Sequence, residues 1–182
     1  MESLMLFLNL WNWIFGVAPV NAGPIGMQDS LLQYELKFID EKWDWKQLQS
    51  EYKVFLVVNT ATGCGLHKQL GQLEELYLKY QSQGLLVIAV PSSDFLSQEP
   101  LDGAELIQYC SLEYGATYPM TYKMHVASEP IAPLFQWLSK IQKPKWNYQK
   151  YLFNAQGHCV FVAGPTQEPL ALESQIQSLL SV

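Results

Sequence analysis

Val54-Phe55-Leu56-Val57-Val58 is an unbroken run of large apolar side chains, and Leu85 to Val90 repeats the pattern. A strand that is apolar on both faces must be covered on both, so these runs predict the middle of a sheet packed between helices rather than a half-solvated surface sheet. The intervening residues Leu66, Leu70, Leu73, Leu76, Tyr77 and Tyr80 recur at helical spacing. Further helices are expected at Ala104 to Leu112, Ala132 to Ile141 and Pro169 to Leu180, the last with proline in its first turn. An edge hairpin is expected over Tyr151 to Val162, turning at Gln156-Gly157. Ahead of the first apolar run, Leu32, Tyr34, Leu36 and Phe38 alternate with polar residues, and Trp43 and Trp45 alternate with Asp44 and Lys46. Joined through Asp40-Glu41-Lys42, the two read as an N-terminal β-hairpin. Strands alternating with helices argue for an α/β fold with a mostly parallel sheet.

The chain has 182 residues, about half of them hydrophobic, which fits one core. Leu4 to Val20 is apolar but holds Asn9 and Asn12, too short and too polar for a permanent bilayer crossing. Val20 and Ala22, small residues three and one before the bond, match an export-signal cut after Ala22, although Glu2 stands where a positive charge is usual. Residues 1–22 are therefore read as a signal peptide and 23–182 as a single domain, placing the mature protein in the periplasm or outside the cell. An uncleaved membrane-surface anchor and a soluble extension on a cytoplasmic protein are the alternatives.

Eleven basic residues against seventeen acidic ones leave a net charge of −6, which disfavours nucleic acid as a partner. All eleven are lysine, so the chain lacks the planar two-pronged grip on carboxylates and phosphates that arginine supplies. Cys64, Cys110 and Cys159 are too few and too separated for a disulfide scaffold or zinc knuckle, and no two of His67, His125 and His158 share a helical face. No metal or cofactor is expected.

Cys64 sits in the small, polar stretch Asn59-Thr60-Ala61-Thr62-Gly63-Cys64-Gly65, between a buried strand and a helix. In open α/β sheets ligands bind at the carboxyl ends of the strands, and a helix start offers N–H donors and a positive dipole end that favour a thiolate. A reactive, exposed sulfur is the expectation; a packed core cysteine is the bland alternative. Position 67 is His, so a CxxC disulfide-exchange pair is excluded.

Val57-Val58-Asn59-Thr60-Ala61-Thr62-Gly63-Cys64-Gly65-Leu66 resembles the active-site segment of the glutathione peroxidase family in its cysteine form. Three further segments resemble family motifs in order: Phe95-Leu96-Ser97-Gln98-Glu99-Pro100, Tyr109-Cys110-Ser111-Leu112-Glu113-Tyr114-Gly115 and Lys145-Trp146-Asn147-Tyr148. The resemblance runs from about Leu32 to Leu180. It implies a thioredoxin-like fold with a central mixed sheet, and reduction of hydrogen peroxide or organic hydroperoxides by Cys64 with Gln98, Trp146 and Asn147 as polar partners. Each partner also has a bland reading: a surface loop residue, a core aromatic, a turn former.

Partners are needed because acidity alone is a weak device. Lowering a thiol pKa from about 8.5 to roughly 6 raises the thiolate fraction at neutral pH about thirtyfold. The accompanying loss of nucleophilicity, with a Brønsted slope of about 0.4 to 0.5, cancels roughly tenfold of that. Uncharged donors that stabilise the departing oxygen without pairing off the sulfur supply the rest.

The resemblance also places Cys110 where thioredoxin-dependent members carry a resolving cysteine, and Ser92 where many have another cysteine. A half-buried helix cysteine is the alternative for Cys110, and Cys159 reads as core or edge packing. An acidic chain without arginine has few ways to hold the two carboxylates of glutathione, so a thioredoxin-like protein is favoured over glutathione as reductant. Ile141-Gln142-Lys143-Pro144-Lys145 is brief where larger members carry an insertion that helps tetramers form, which implies a monomer or weak dimer. Ser93-Asp94 and His67 depart from the family pattern, and a carboxylate at Asp94 close to the sulfur would oppose its ionisation. The rival function is a peroxide sensor or redox relay that passes oxidation from Cys64 to a client; a silent thioredoxin-fold binding module is a more distant reading.

Overall fold

The computed structural model describes residues 29–182; the expected signal peptide and its cut after Ala22 lie outside the described residues. In chain order the elements are α1 (Trp45–Glu51), β1 (Val54–Thr60), α2 (Gln69–Tyr80), β2 (Leu85–Pro91), α3 (Gly103–Tyr114), α4 (Pro133–Gln142), β3 (Lys150–Phe153), β4 (Cys159–Ala163) and α5 (Glu173–Leu180). The strand order is β2-β1-β3-β4. Every residue of β1 and β2 is buried, as two-sided cover demands. At ~1.5–3 kcal/mol for each large apolar side chain taken fully from water, this pair dominates the core.

The sheet is mixed, as the family resemblance implies, and not mostly parallel as the alternation of strands and helices alone suggests. β1 runs parallel to β2, with Val54 opposite Leu85 and Thr60 opposite Pro91. β3 is antiparallel to β1, with Phe55 opposite Phe153 and Val58 opposite Lys150, and β4 returns antiparallel beside β3. Hydrophobic periodicity reports which faces are covered, not strand direction. Helix ends follow local chemistry: Asp102 caps α3 by accepting from Gly103 N–H at 2.8 Å, Gly115 ends it at φ 67, and Pro133 opens α4.

The expected N-terminal β-hairpin does not form. Leu31–Gln33 is a 3₁₀ turn, and the Trp43–Lys46 stretch leads into α1. Tyr34 to Phe38 keeps its in-and-out alternation, but its partner is the 120–122 segment: Phe38 bridges Thr121, Ile39 N–H donates to Met120 at 3.0 Å and Tyr122 N–H to Lys37 at 3.1 Å. Asp44 accepts from Gln47 N–H at 2.8 Å and starts the helix. Trp45 and Leu48, three apart, bury one face, and Trp45 donates to Tyr34 O at 2.8 Å while meeting Phe55 edge-on.

One fully buried amine was not anticipated. Lys150 on β3 donates from Nζ to the carbonyls of Tyr148 at 2.7 Å, Pro165 at 3.2 Å and Gly164 at 3.3 Å. Burial pushes this amine down to about 7, against the opposing pull of Glu168, while three carbonyl acceptors match the three N–H groups of an ammonium.

Candidate active site

β1 delivers its last residue, Thr60, into a run of turns that precedes α2. Cys64 N–H donates to Ala61 O at 3.3 Å, and His67 N–H to Cys64 O at 2.9 Å. Gly63 and Gly65 on either side are exposed, but the cysteine itself is turned inward and only 2% exposed. The expectation of a sulfur open to solvent is thus corrected: the Ala61–Cys64 turn points the side chain into the core, an orientation that spacing does not encode. Approach is left to the glycines, and a Cβ placed at Gly65 would meet nothing within 4 Å.

The Gln98 loop lies directly on this turn. Gly63 N–H donates to Gln98 O at 2.8 Å, and a Cβ at Gly63 would stand 2.8 Å from the same carbonyl oxygen. Position 63 is glycine because two backbones meet there. Glu99 fastens the contact. Its buried carboxylate accepts Thr62 N–H at 2.9 Å, Thr62 Oγ1–H at 2.7 Å and Leu101 N–H at 3.2 Å. Burial raises the Glu99 pKa, opposed by the hydrogen bonds from Thr62 and Leu101 and by the charge of Lys123. Glu99 was missed in the sequence; its signal was a carboxylate inside an otherwise uncharged motif.

Asn147 Nδ2 donates to Gln98 Oε1 at 2.9 Å, so the fourth motif meets the second. Trp146 joins through the same loop, its ring centroid 5.5 Å from that of Phe95. Gln98, Trp146 and Asn147 are therefore brought together around the loop that touches Gly63. With Oε1 committed to Asn147, Gln98 retains its NH₂ as donor. Asn147 Oδ1 is buried without a partner. Tyr148, at φ 69, turns the chain sharply after Asn147, and its hydroxyl donates to Ala61 O at 2.7 Å, the carbonyl that also accepts Cys64 N–H.

Cys110 lies on α3, buried, within electrostatic reach of Glu99 and Tyr148, and Tyr148 in turn of Cys64. Burial, then the Glu99 carboxylate, pushes the Cys110 thiol up to about 12. Cys159 is likewise pushed up to about 12 by burial and its sulfur points at Phe161 O at 3.8 Å, the packing role expected of it. All three cysteines are free thiols.

The Asp94 carboxylate is committed to the 126–128 segment. It accepts Val126 N–H at 2.6 Å, Ala127 N–H at 2.7 Å and Ser128 N–H at 3.1 Å, and pairs with His125 Nδ1 at 2.9 Å. Burial raises its pKa, but those bonds outweigh it and hold the group below the usual carboxylate value. His67 Nδ1 meets Tyr114 Oη at 2.6 Å, joining the Cys64 turn to the helix of Cys110. Ser92 is buried, with Oγ accepting Asp94 N–H at 3.3 Å. Among the described residues no group of three or more His, Cys, Asp or Glu side chains is arranged to hold a metal.

Residues 32–139 match the family model for glutathione peroxidase. The chain is 40% identical over 133 residues to the glutathione peroxidase homolog BsaA of Staphylococcus aureus (strain MW2), covering 70% of this chain and 84% of that protein. It is 37% identical over 134 residues to the glutathione peroxidase-like peroxiredoxin gpx1 of Schizosaccharomyces pombe, covering 70% and 85%. Among solved structures it is similar to Trgpx in apo form, with a TM-score of 0.66 and 25% identity over 85% of this chain and 97% of that one.

Proposed function

The chain belongs to the glutathione peroxidase family and is a thiol peroxidase, and from that premise we propose that Cys64 is its peroxidatic residue, with Gln98, Trp146 and Asn147 as uncharged partners. The observation that carries this reading is the contact of Gln98 with both Gly63 and Asn147, at 2.8 and 2.9 Å. It gathers three segments far apart in sequence onto the cysteine turn. The thiolate attacks one peroxide oxygen, the O–O bond breaks, Cys64 becomes a sulfenic acid, and the departing alkoxide or hydroxide takes up a proton. Gln98 N–H and the Trp146 indole N–H stabilise that oxygen as it gains charge, without neutralising the sulfur. The test is the second-order rate of peroxide with the reduced protein. Gln98→Ala combined with Trp146→Phe slows it by ~10²-fold or more if the donors act at the transition state, and an unchanged rate refutes the assignment.

Cys110 resolves the sulfenic acid by forming a disulfide with Cys64 and releasing water, and a thioredoxin-like dithiol or, less favourably, glutathione recycles it. Burial, then the Glu99 carboxylate, pushes the Cys110 thiol up to about 12, so in this scheme exposure of Cys110 precedes its attack. The same burial favours a second reading in which a client thiol reaches oxidised Cys64 first, as in a redox relay. Mixed disulfides trapped on Cys64 distinguish the two. The domain, from residue 23 onward, acts as a monomer or weak dimer after export, and a mature N-terminus at Gly23 by peptide mass is the check on that localisation.

A further inference from the structure

We infer that Asn59, the penultimate residue of β1, is a positioning residue for the peroxide reaction: its side-chain amide fixes the segment that carries Trp146 and Asn147 against the strand end leading to Cys64. The inference rests on the roles given to Trp146 and Asn147 above. Asn59 is fully buried in an interior strand of the sheet, a place where asparagine is normally depleted. Its Nδ2 donates to Trp146 O at 3.1 Å, and its Oδ1 accepts Gln149 N–H at 3.0 Å. Its main chain adds two more bonds, N–H to Gln149 O at 3.3 Å and O from Tyr148 N–H at 2.6 Å.

The geometry explains why an amide stands there. The β1–β3 ladder ends at Val58 opposite Lys150, and Tyr148, at φ 69, swings the chain out of register. The strand's main-chain bonds stop at Tyr148. A short side chain with one donor and one acceptor extends past that point and brackets the bend from Trp146 O to Gln149 N–H. Aspartate keeps the acceptor but turns an oxygen toward the Trp146 carbonyl; alanine removes the side-chain partner of both the Trp146 carbonyl and the buried Gln149 N–H. Either change frees residues 146–147 to shift relative to Gln98, to which Asn147 is bonded. A displacement of ~1 Å at a reacting centre can cost ~10²-fold in rate.

The experiment uses the full reduced chain carrying Asn59→Ala, Asn59→Asp or Asn147→Ala, and the Asn59→Ala/Asn147→Ala double variant. Each is assayed for its second-order rate with peroxide and for the alkylation rate of Cys64 by iodoacetamide. Each Asn59 substitution is expected to slow peroxide reduction by ~10-fold or more while alkylation stays within about twofold. The double variant is expected to be little slower than the slower single one, because both act through the same segment. Multiplying losses, a parallel fall in alkylation, or an unchanged peroxide rate overturns the inference. If Asn147→Ala itself leaves the rate unchanged, the reading of the donors fails; if it slows the reaction and the Asn59 variants do not, only the positioning role fails. Should the alanine variant not fold, near-isosteric Asn59→Asp with Asn147→Ala completes the same cycle.

Discussion

Replacing Gly63 by alanine tests how tightly the Gln98 loop must lie on the cysteine turn. The added Cβ would stand 2.8 Å from Gln98 O, about 0.6 Å short of ordinary van der Waals separation, and the obstacle is backbone rather than a flexible side-chain tip. The loops must part, straining or breaking the Gly63 N–H to Gln98 O bond. Overpacking of this kind costs ~1–3 kcal/mol and a lost hydrogen bond about 1 more, so stability should fall by ~2–4 kcal/mol. For a domain of this size that corresponds to a melting temperature lower by ~5–15 °C. Because Gln98 moves away from Cys64, the peroxide rate should fall by ~10–100-fold as well. Stopped-flow oxidation of the reduced protein and a thermal melt read both quantities. Gly65→Ala, whose Cβ meets nothing within 4 Å, is the matched control and should change neither greatly. A Gly63→Ala protein with the parent's rate and melting temperature would refute the close-approach reasoning.

Cys110→Ser should permit one stoichiometric oxidation of Cys64 and then abolish turnover with a protein dithiol; full steady-state turnover in a thioredoxin-coupled assay would contradict the two-cysteine scheme. Asp94 has a folded-state pKa held below its unfolded value, so its stabilisation is complete above the ordinary carboxylate pKa of about 4 and is lost as pH falls through the lower folded value. Asp94→Asn should therefore lower the melting temperature at neutral pH and flatten the acid limb of the stability profile; an unchanged profile between pH 2 and 5 would count against the backbone cradle.

How much of this was legible in the sequence depends on how local each cause is. The unbroken run of β1, the helical spacing of Leu70, Leu73, Tyr77 and Tyr80, and the Gln156-Gly157 turn carry their own periodicity, and all formed as expected. α1 did not show because only two of its seven residues are buried and the Trp43/Trp45 alternation mimics a strand; the cap at Asp44 was the usable signal. Strand direction depends on connections, so the order of elements suggested a mostly parallel sheet, and the mixed sheet was legible only through the family resemblance. The family motifs singled out Cys64, Gln98, Trp146 and Asn147, but not the inward turn of the sulfur. Nor could they show that Asp94 faces 126–128, thirty-odd residues away. Glu99, Asn59 and Tyr148 were overlooked because each works through distant backbone groups that only the folded chain assembles.

The central claim is that peroxide oxidises Cys64 and no other sulfur first. Treating the reduced protein with less than one equivalent of peroxide in the presence of a sulfenic-acid trap, then mapping peptides by mass, measures this directly. The predicted result is a trapped adduct on Cys64 or a Cys64–Cys110 disulfide, with Cys159 untouched. An unmodified Cys64 beside oxidised Cys110 or Cys159 would contradict it.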